Sequence, residues 1–491
     1  MTASDRRPRL SKFTPAARRL GGVSVAEIAS RAVGFVAFPF ITRALGPTEF
    51  GSLSFAVAVT SWVGLLSAPG VYAYGLREVA QSPEEVRRTS GELMAFSLVF
   101  SLLPYSGIIA YSFLADLTAT DKTLLLLTGA TLPVSAINLS WAFIGLGRAG
   151  AVSLLTLVTN VLYAVLVIIA VNEPADVTLV PALQLLQFAL IAAGLLILAH
   201  RDWGMVQLRL SRARASWILR GALPLGVGTV MTTIYNRLDL VMIVALKGRT
   251  QGGWYGGAYR LMEITVLLPL GLLNIAIMPS IMAAVGQDRE AAAGKAVSYW
   301  RHFLVLAIPV MVGGLLLRNE IVTVVLGEAY SPSADVFGVL SANLLIGGAA
   351  ALFAGSILVG QRRSGTYLVA VAIGAAVNVV LNLIWIPRYG MMAAAIATLV
   401  AQAAVAVFAF AKVRHYIGVD LRWARYLLKP LVGSAFMSIP ILVLRDHNGG
   451  LFLAGMAGFV TYALAIVMMR GVDFGLVMGA SGGSSSGDSE D

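Results

Sequence analysis

The run LGGVSVAEIASRAVGFVAFPFIT, residues 20–42, decides the fold class. Six basic residues precede it: Arg6, Arg7, Arg9, Lys12, Arg18 and Arg19. A cleaved signal peptide has a short apolar core closed by a small-residue site, and this run shows neither. It is long enough for one bilayer crossing, which takes about 20 residues. The stretch therefore predicts an uncleaved first transmembrane helix behind a basic cytoplasmic segment, 1–19.

Such runs recur along the chain. Polar breaks separate apolar spans at 20–42, 50–70, 91–114, 123–145, 151–171 and 180–200. The next six are 217–246, 254–283, 302–318, 336–360, 366–386 and 391–411, and a last pair covers 430–445 and 451–470. Runs this long and continuously apolar satisfy their backbone in lipid as helices. The predicted fold class is an all-α polytopic membrane protein of about fourteen helices. Twelve is the competing count if the weak span 430–445 does not cross.

Composition agrees. Hydrophobic residues make up 58% of the chain and charged residues 12%, with mean hydropathy +0.82. Soluble domains carry about 25% charge, so most of this surface must face lipid. The 50 glycines suit a membrane bundle, where small residues let helix backbones approach. The absence of cysteine excludes disulfides, thiolate metal sites and cysteine nucleophiles.

A net charge of +11 does not indicate nucleic acid, because the charges are spread over the breaks between spans. With the N-terminus inside, same-side segments hold 25 Lys and Arg and the opposite loops hold 7. That asymmetry predicts cytoplasmic N- and C-termini. The longest basic breaks, 201–216 and 412–429, divide the chain into an N-lobe of helices one to six (20–200), a C-lobe of helices seven to twelve (217–411) and a final pair (430–470). Those breaks set topology, or alternatively attract anionic headgroups. The tail 471–491 ends in a Gly/Ser/acidic stretch that cannot bury surface and is expected to be disordered.

An internal repeat supports the plan. Ala44-Leu45 leads into Gly51, and Ala245-Leu246 leads into Gly253; the leucines are offset by 201 and the glycines by 202, implying a one-residue insertion. Matched halves are a transporter pattern, with substrate bound between them.

Enzymatic patterns are missing. There is no Walker A motif, and His200, His302, His415 and His447 are too scattered for a metal constellation. Residues 145–150, GLGRAG, match a dinucleotide pattern but cap a predicted helix, so they read as a tight cytoplasmic turn. The sequon Asn138-Leu139-Ser140 falls inside a predicted helix. The expectation is a protein that is not an enzyme and has no cofactor, no metal and no nucleic-acid partner.

Ionisable groups at bilayer depth are costly and usually mark function. Four basic residues lie within spans (Arg31, Arg220, Arg237 and Arg260), as do three acids: Glu27, Asp239 and Glu263. They concentrate in helices one, seven and eight. Glu27 and Arg31 are spaced to pair on one face. Either they neutralise each other, or Arg31 meets an anionic headgroup in a cavity, a task suited to its bidentate fork. Arg237 and Asp239, and Arg260 and Glu263, fall in the outer halves of helices seven and eight. They form an external latch, or else the arginines bind phosphate while an acid carries a coupling proton or sodium ion. Arg220 is a snorkelling residue. Gly34, Pro39, Pro224 and Pro269 are candidate hinges or static kinks. Asn378 and Asn382, on one face of helix eleven, line a cavity or bond another helix.

Two stretches carry a family resemblance. Arg43-Ala44-Leu45-Gly46-Pro47-Thr48-Glu49-Phe50-Gly51 resembles the first-loop pattern of polysaccharide-transport flippases. Residues 378–390, NVVLNLIWIPRYG, with the small-residue run 393–398, AAAIAT, resemble their eleventh-to-twelfth helix motif. The resemblance covers about 20–470 and places the chain beside Wzx-type O-antigen flippases of the multidrug/oligosaccharidyl-lipid/polysaccharide (MOP) exporter superfamily. It implies two six-helix lobes in a V, like the multidrug exporters, plus the added pair. It implies alternating access that moves undecaprenyl-pyrophosphate-linked oligosaccharide from inner to outer leaflet of the cytoplasmic (inner) membrane. Arg31 and Arg260 look like cavity arginines of such flippases. Implied partners are that lipid-linked sugar, membrane lipids, and polysaccharide polymerase and chain-length machinery. The alternatives are a cation-coupled multidrug exporter of the same superfamily and a lipid II flippase.

Overall fold

A computed structural model describes the backbone of residues 15–67, 70–276, 289–361, 363–417, 425–445 and 450–469. Within these, side chains are described except for 15–34, 224–237, 267–276 and 289–292. Among the described residues there are sixteen α-helices: α1 Pro15–Gly64, α2 Val71–Gln81, α3 Val86–Leu114, α4 Ala119–Ala136, α5 Ser140–Gly145, α6 Ala149–Ala170, α7 Leu179–Trp203 and α8 Arg212–Lys247. Then follow α9 Arg249–Ala276, α10 Arg289–Leu316, α11 Arg318–Val325, α12 Ser333–Ser341, α13 Asn343–Ala350, α14 Ser364–Ile417, α15 Leu428–Leu444 and α16 Gly450–Met468. Among the described residues, eight helices are long and apolar enough to cross a membrane, and nine if the bent pair α12–α13 counts as one. One of the eight, Ser364–Tyr416, covers two predicted spans. The chain is thus a multi-pass, all-helical membrane protein, and the full count of fourteen is not fixed by the described residues.

Glycines make the sharp reversals. The continuous helical tracts α1 and α14 break at Gly46 (φ 67°) and Gly390 (φ 58°), and Gly248 (φ 89°) separates α8 from α9. A side chain at positive φ costs about 1–2 kcal/mol, so glycine is the economical residue there. The break in α1 therefore lies at Gly46, while the backbone stays helical through Gly34 and Pro39. Gly147 (φ 72°) forms the turn expected of the GLGRAG stretch. The sequon corrects a sequence expectation: Asn138 lies in a break between α4 and α5, not inside a helix. Its Oδ1 accepts from the Ser140 N–H at 2.8 Å, a local bond that competes with helix continuation.

The chain divides into two compact units. The first comprises Met1–Ile41 and Val63–Val227, the second Thr42–Trp62 and Gly228–Asp491. This division differs from the predicted lobes at two points. The second predicted span packs with the later half of the chain, and the boundary falls within α8 rather than in the basic linker.

In the first unit that linker is strapped down. Arg87 Nε donates to the Met205 carbonyl at 3.0 Å, and Gly91 lies so close to the Gln207 carbonyl that a Cβ would strike it. Glu92 accepts from Arg88 at 3.0 Å and from Arg214 at 2.5 Å. Beneath lies a core of Tyr74, Phe96, Phe143 and Leu195. In the second unit, Phe303, Leu304, Phe353 and Leu358 form the main core. The terminal pair α15–α16 joins it through Met437 and Ile441 beside Val305 and Leu317. The Tyr462 hydroxyl donates to the Val305 carbonyl at 2.6 Å.

Candidate functional site: a buried carboxylate, an exposed ion pair and a glycine crossing

Three features of the second unit are built around its hairpin turns. The first is the turn region itself. Gly46 and Gly248 occupy equivalent turns, and the starts of the two following helices cross with their backbones in contact. A Cβ on Gly51 would strike the Arg249 carbonyl, and one on Gly253 would strike the Pro47 carbonyl. Between them, Thr48 Oγ1 and Thr250 Oγ1 are 3.0 Å apart. All three pairs share an offset of 202, so the insertion inferred from the leucines lies before the turn. The crossing is buttressed by the end of α11 and the loop after it. Arg43 donates to the Val324 carbonyl, Trp254 Nε1 to the Ala329 carbonyl at 2.9 Å and Ser333 Oγ to the Trp254 carbonyl at 2.8 Å. Phe50 meets Tyr330 edge-on at 6.2 Å. Burial pushes the Tyr330 phenol pKa above its ordinary value.

The second feature is Asp239, only 2% exposed. The Tyr255 hydroxyl donates to its Oδ2. Thr398 Oγ1 lies 3.5 Å from the same oxygen and 3.0 Å from the Ala394 carbonyl. Geometry explains the meeting. Asp239 lies nine residues before Gly248 and Tyr255 seven after it. At about 1.5 Å per residue both stand roughly 10–14 Å from the turn on antiparallel helices. Asn382 and Thr398 flank Gly390 at eight residues each, so they share that depth. Asn378 and Asn382 are fully buried, and Asn382 Nδ2 donates to Asn378 Oδ1 at 3.0 Å. The remaining amide atoms of that pair, Asn378 Nδ2 and Asn382 Oδ1, are buried and have no hydrogen-bond partner. The layer is built of oxygens and amides, a donor set suited to a proton or a hard monovalent cation. Among the described residues, no three His, Asp or Glu side chains gather as a metal-ligand group.

The third feature is Arg260, whose Nη1 donates to Glu263 Oε2 at 2.8 Å, the i,i+3 pairing expected from sequence. These residues lie twelve and fifteen positions past Gly248, roughly 18–22 Å along the helix. Sequence reading places both within the eighth predicted span, 254–283. Their side chains are nevertheless 43% and 27% exposed. Facing lipid, each charge would cost about 2.5–3.5 kcal/mol or more, which favours placement of such a pair against protein or water.

Glu27, Arg31 and Arg237 lie outside the described side chains, and Arg220 is exposed on α8. Sequence reasoning did not include Tyr255 or Thr398 in the site. The available signal was their distance from Gly248 and Gly390, which matches that of Asp239 and Asn382.

Comparisons with known proteins point one way. A family model described as "Polysaccharide biosynthesis protein" matches residues 20–285. The probable low-salt glycan biosynthesis flippase Agl15 of Haloferax volcanii is 21% identical over 391 residues, 76% of this chain and 78% of that protein. Among solved structures, the lipid II flippase MurJ in an inward closed conformation superposes with TM-score 0.71 at 15% identity, covering 91% of this chain and 98% of that one. An inward-facing MATE-family multidrug transporter of the MOP superfamily gives TM-score 0.58 at 13% identity, covering 83% and 95%.

Proposed function

Because the chain belongs to the polysaccharide biosynthesis protein family, we propose that it is a flippase carrying polyprenyl-pyrophosphate-linked oligosaccharide across the cytoplasmic membrane. The sugar and pyrophosphate pass from inner to outer leaflet by alternating access, while the lipid tail stays in the bilayer. Both termini face the cytoplasm, in keeping with the placement of Lys and Arg. Membrane lipids surround the chain, and polysaccharide polymerase and chain-length proteins receive its product.

The observation that carries this reading is Arg260. A guanidinium within a predicted span, paired with Glu263 yet still 43% exposed, can receive pyrophosphate oxygens bidentately without losing its charge. Arg31 and Arg237, within predicted spans, are further candidate phosphate ligands, and Glu27 is spaced in sequence to pair with Arg31. Asp239 serves the coupling step: a proton or sodium ion entering its layer neutralises the carboxylate and shifts the conformational balance. Tyr255 and Thr398 hold the carboxylate, and Asn378 and Asn382 offer amide dipoles at the same depth. The Gly51–Gly253 crossing closes the outer side in the inward-open half of the cycle.

The test is complementation of a flippase-deficient strain of the native pathway, scoring surface polysaccharide. Wild type restores it, and Arg31→Ala and Arg260→Ala at equal expression do not. Well-expressed wild type that restores nothing but raises drug resistance would replace this reading with the multidrug exporter. Rescue of a lipid II flippase strain alone would replace it with lipid II transport.

A further inference from the structure

In the second unit, a recess of about 890 Å³ lies between α11, the end of α15 and the start of α16. Ligand cavities commonly span about 300–1,000 Å³. Its walls include Val324, Leu451, Phe452 and Met456, all apolar. Two charged groups enter it from different elements. Glu320 comes from the first turn of α11, and Arg445 caps the end of α15. Glu320 Oε2 is shielded from solvent and has no hydrogen-bond partner. A carboxylate oxygen shut away beside apolar walls is unfavourable unless a donor or cation meets it. Part of the space exists because residue 455 is glycine: a Cβ there would meet nothing within 4 Å.

We propose that this recess binds the headgroup of a zwitterionic membrane phospholipid with a primary amine. Glu320 takes the ammonium, Arg445 takes the phosphate, and the acyl chains run over Val324, Phe452 and Met456, which are 52%, 73% and 50% exposed. The charges select this class. An anionic lipid, or the pyrophosphate of the transport substrate, can approach Arg445 but leaves the Glu320 carboxylate facing more negative charge. A choline headgroup has no N–H to donate. Assignment to the outer leaflet rests on the orientation proposed above; the headgroup assignment does not.

Full-length protein, purified and mixed with equimolar phosphatidylethanolamine, phosphatidylglycerol and phosphatidylcholine, reports bound lipid by native mass spectrometry. Wild type retains phosphatidylethanolamine over either competitor by roughly tenfold, as a charge-assisted hydrogen bond predicts. Glu320→Gln levels that preference. Gly455→Leu, whose Cβ meets nothing within 4 Å, intrudes on the recess and lowers lipid retention whatever the headgroup. Unchanged selectivity in Glu320→Gln, wild-type retention in Gly455→Leu, or a wild-type preference for phosphatidylglycerol would overturn the proposal. The readout is lipid retention, so it succeeds or fails separately from polysaccharide transport.

Discussion

Gly51 and Gly253 stand 202 positions apart, and each leaves room for the carbonyl that begins the other's helix. Pro47 O faces Gly253, and Arg249 O faces Gly51. The internal repeat is therefore a physical contact. Both members must lack a side chain because the contact is backbone against backbone.

The first prediction uses the cysteine-free background of the chain. The double variant Thr48→Cys/Thr250→Cys forms a disulfide on mild oxidation, because the native hydroxyls are only 3.0 Å apart. Polysaccharide export stops on oxidation and returns on reduction if, as proposed, the crossing opens in each cycle. Mass spectrometry of the linked peptides reads the bond. Efficient cross-linking without loss of export would show that the crossing stays closed throughout.

The second concerns packing at the same place. Gly51→Val or Gly253→Val forces the helices apart and lowers stability by about 1–3 kcal/mol, the usual range for overpacking. A thermal melt of the detergent-solubilised protein reads the loss. Gly107→Val, at an open position, serves as control and leaves the melting temperature near that of wild type.

The third concerns Asp239. Asp239→Asn keeps the shape of the side chain but removes the charge that a coupling ion would neutralise. Export becomes insensitive to the proton or sodium gradient, or is lost, at unchanged protein level. Tyr255→Phe removes one hydrogen bond to a charged acceptor, typically about 1.5–3 kcal/mol, and leaves gradient dependence weakened. Full gradient-dependent export by Asp239→Asn would remove Asp239 from the coupling role.

The fourth concerns the strapped linker. Glu92→Gln weakens its bonds to Arg88 and Arg214 together, and Gly91→Ala pushes residue 207 away. Both raise protease cleavage within 204–211 in membrane vesicles. Cleavage no faster than in wild type would show that these contacts do not hold the strap.

The sequence carried the helical plan because hydropathy acts locally, and ten of the predicted spans lie on helices that pass the spanning test or on the bent pair. The Arg260–Glu263 pair was legible for the same reason: i,i+3 spacing is a property of one helix. What escaped depends on the tertiary structure. The Asp239–Tyr255–Thr398 meeting joins three helices across two turns, and only the positive-φ glycines at 248 and 390 set their heights level. The docking of 201–216 escaped because Arg87 and Gly91 meet the main-chain carbonyls of Met205 and Gln207, which carry no side-chain signal, and because Arg214 meets Glu92 across 122 positions. The assortment of 42–62 with the later half follows from the glycine contacts, which composition records only as small residues.

The most direct test of the central claim is transbilayer movement itself. Purified protein is reconstituted in vesicles whose inner leaflet alone carries a fluorescent polyprenyl-pyrophosphate-linked oligosaccharide, and an impermeant quencher reports arrival outside. Wild type makes the label accessible, and Arg260→Ala, correctly inserted at equal density, does so at least about tenfold more slowly, the loss expected when a charge-assisted contact to pyrophosphate is removed. Equal rates for wild type and protein-free vesicles, or for wild type and Arg260→Ala, would contradict the account.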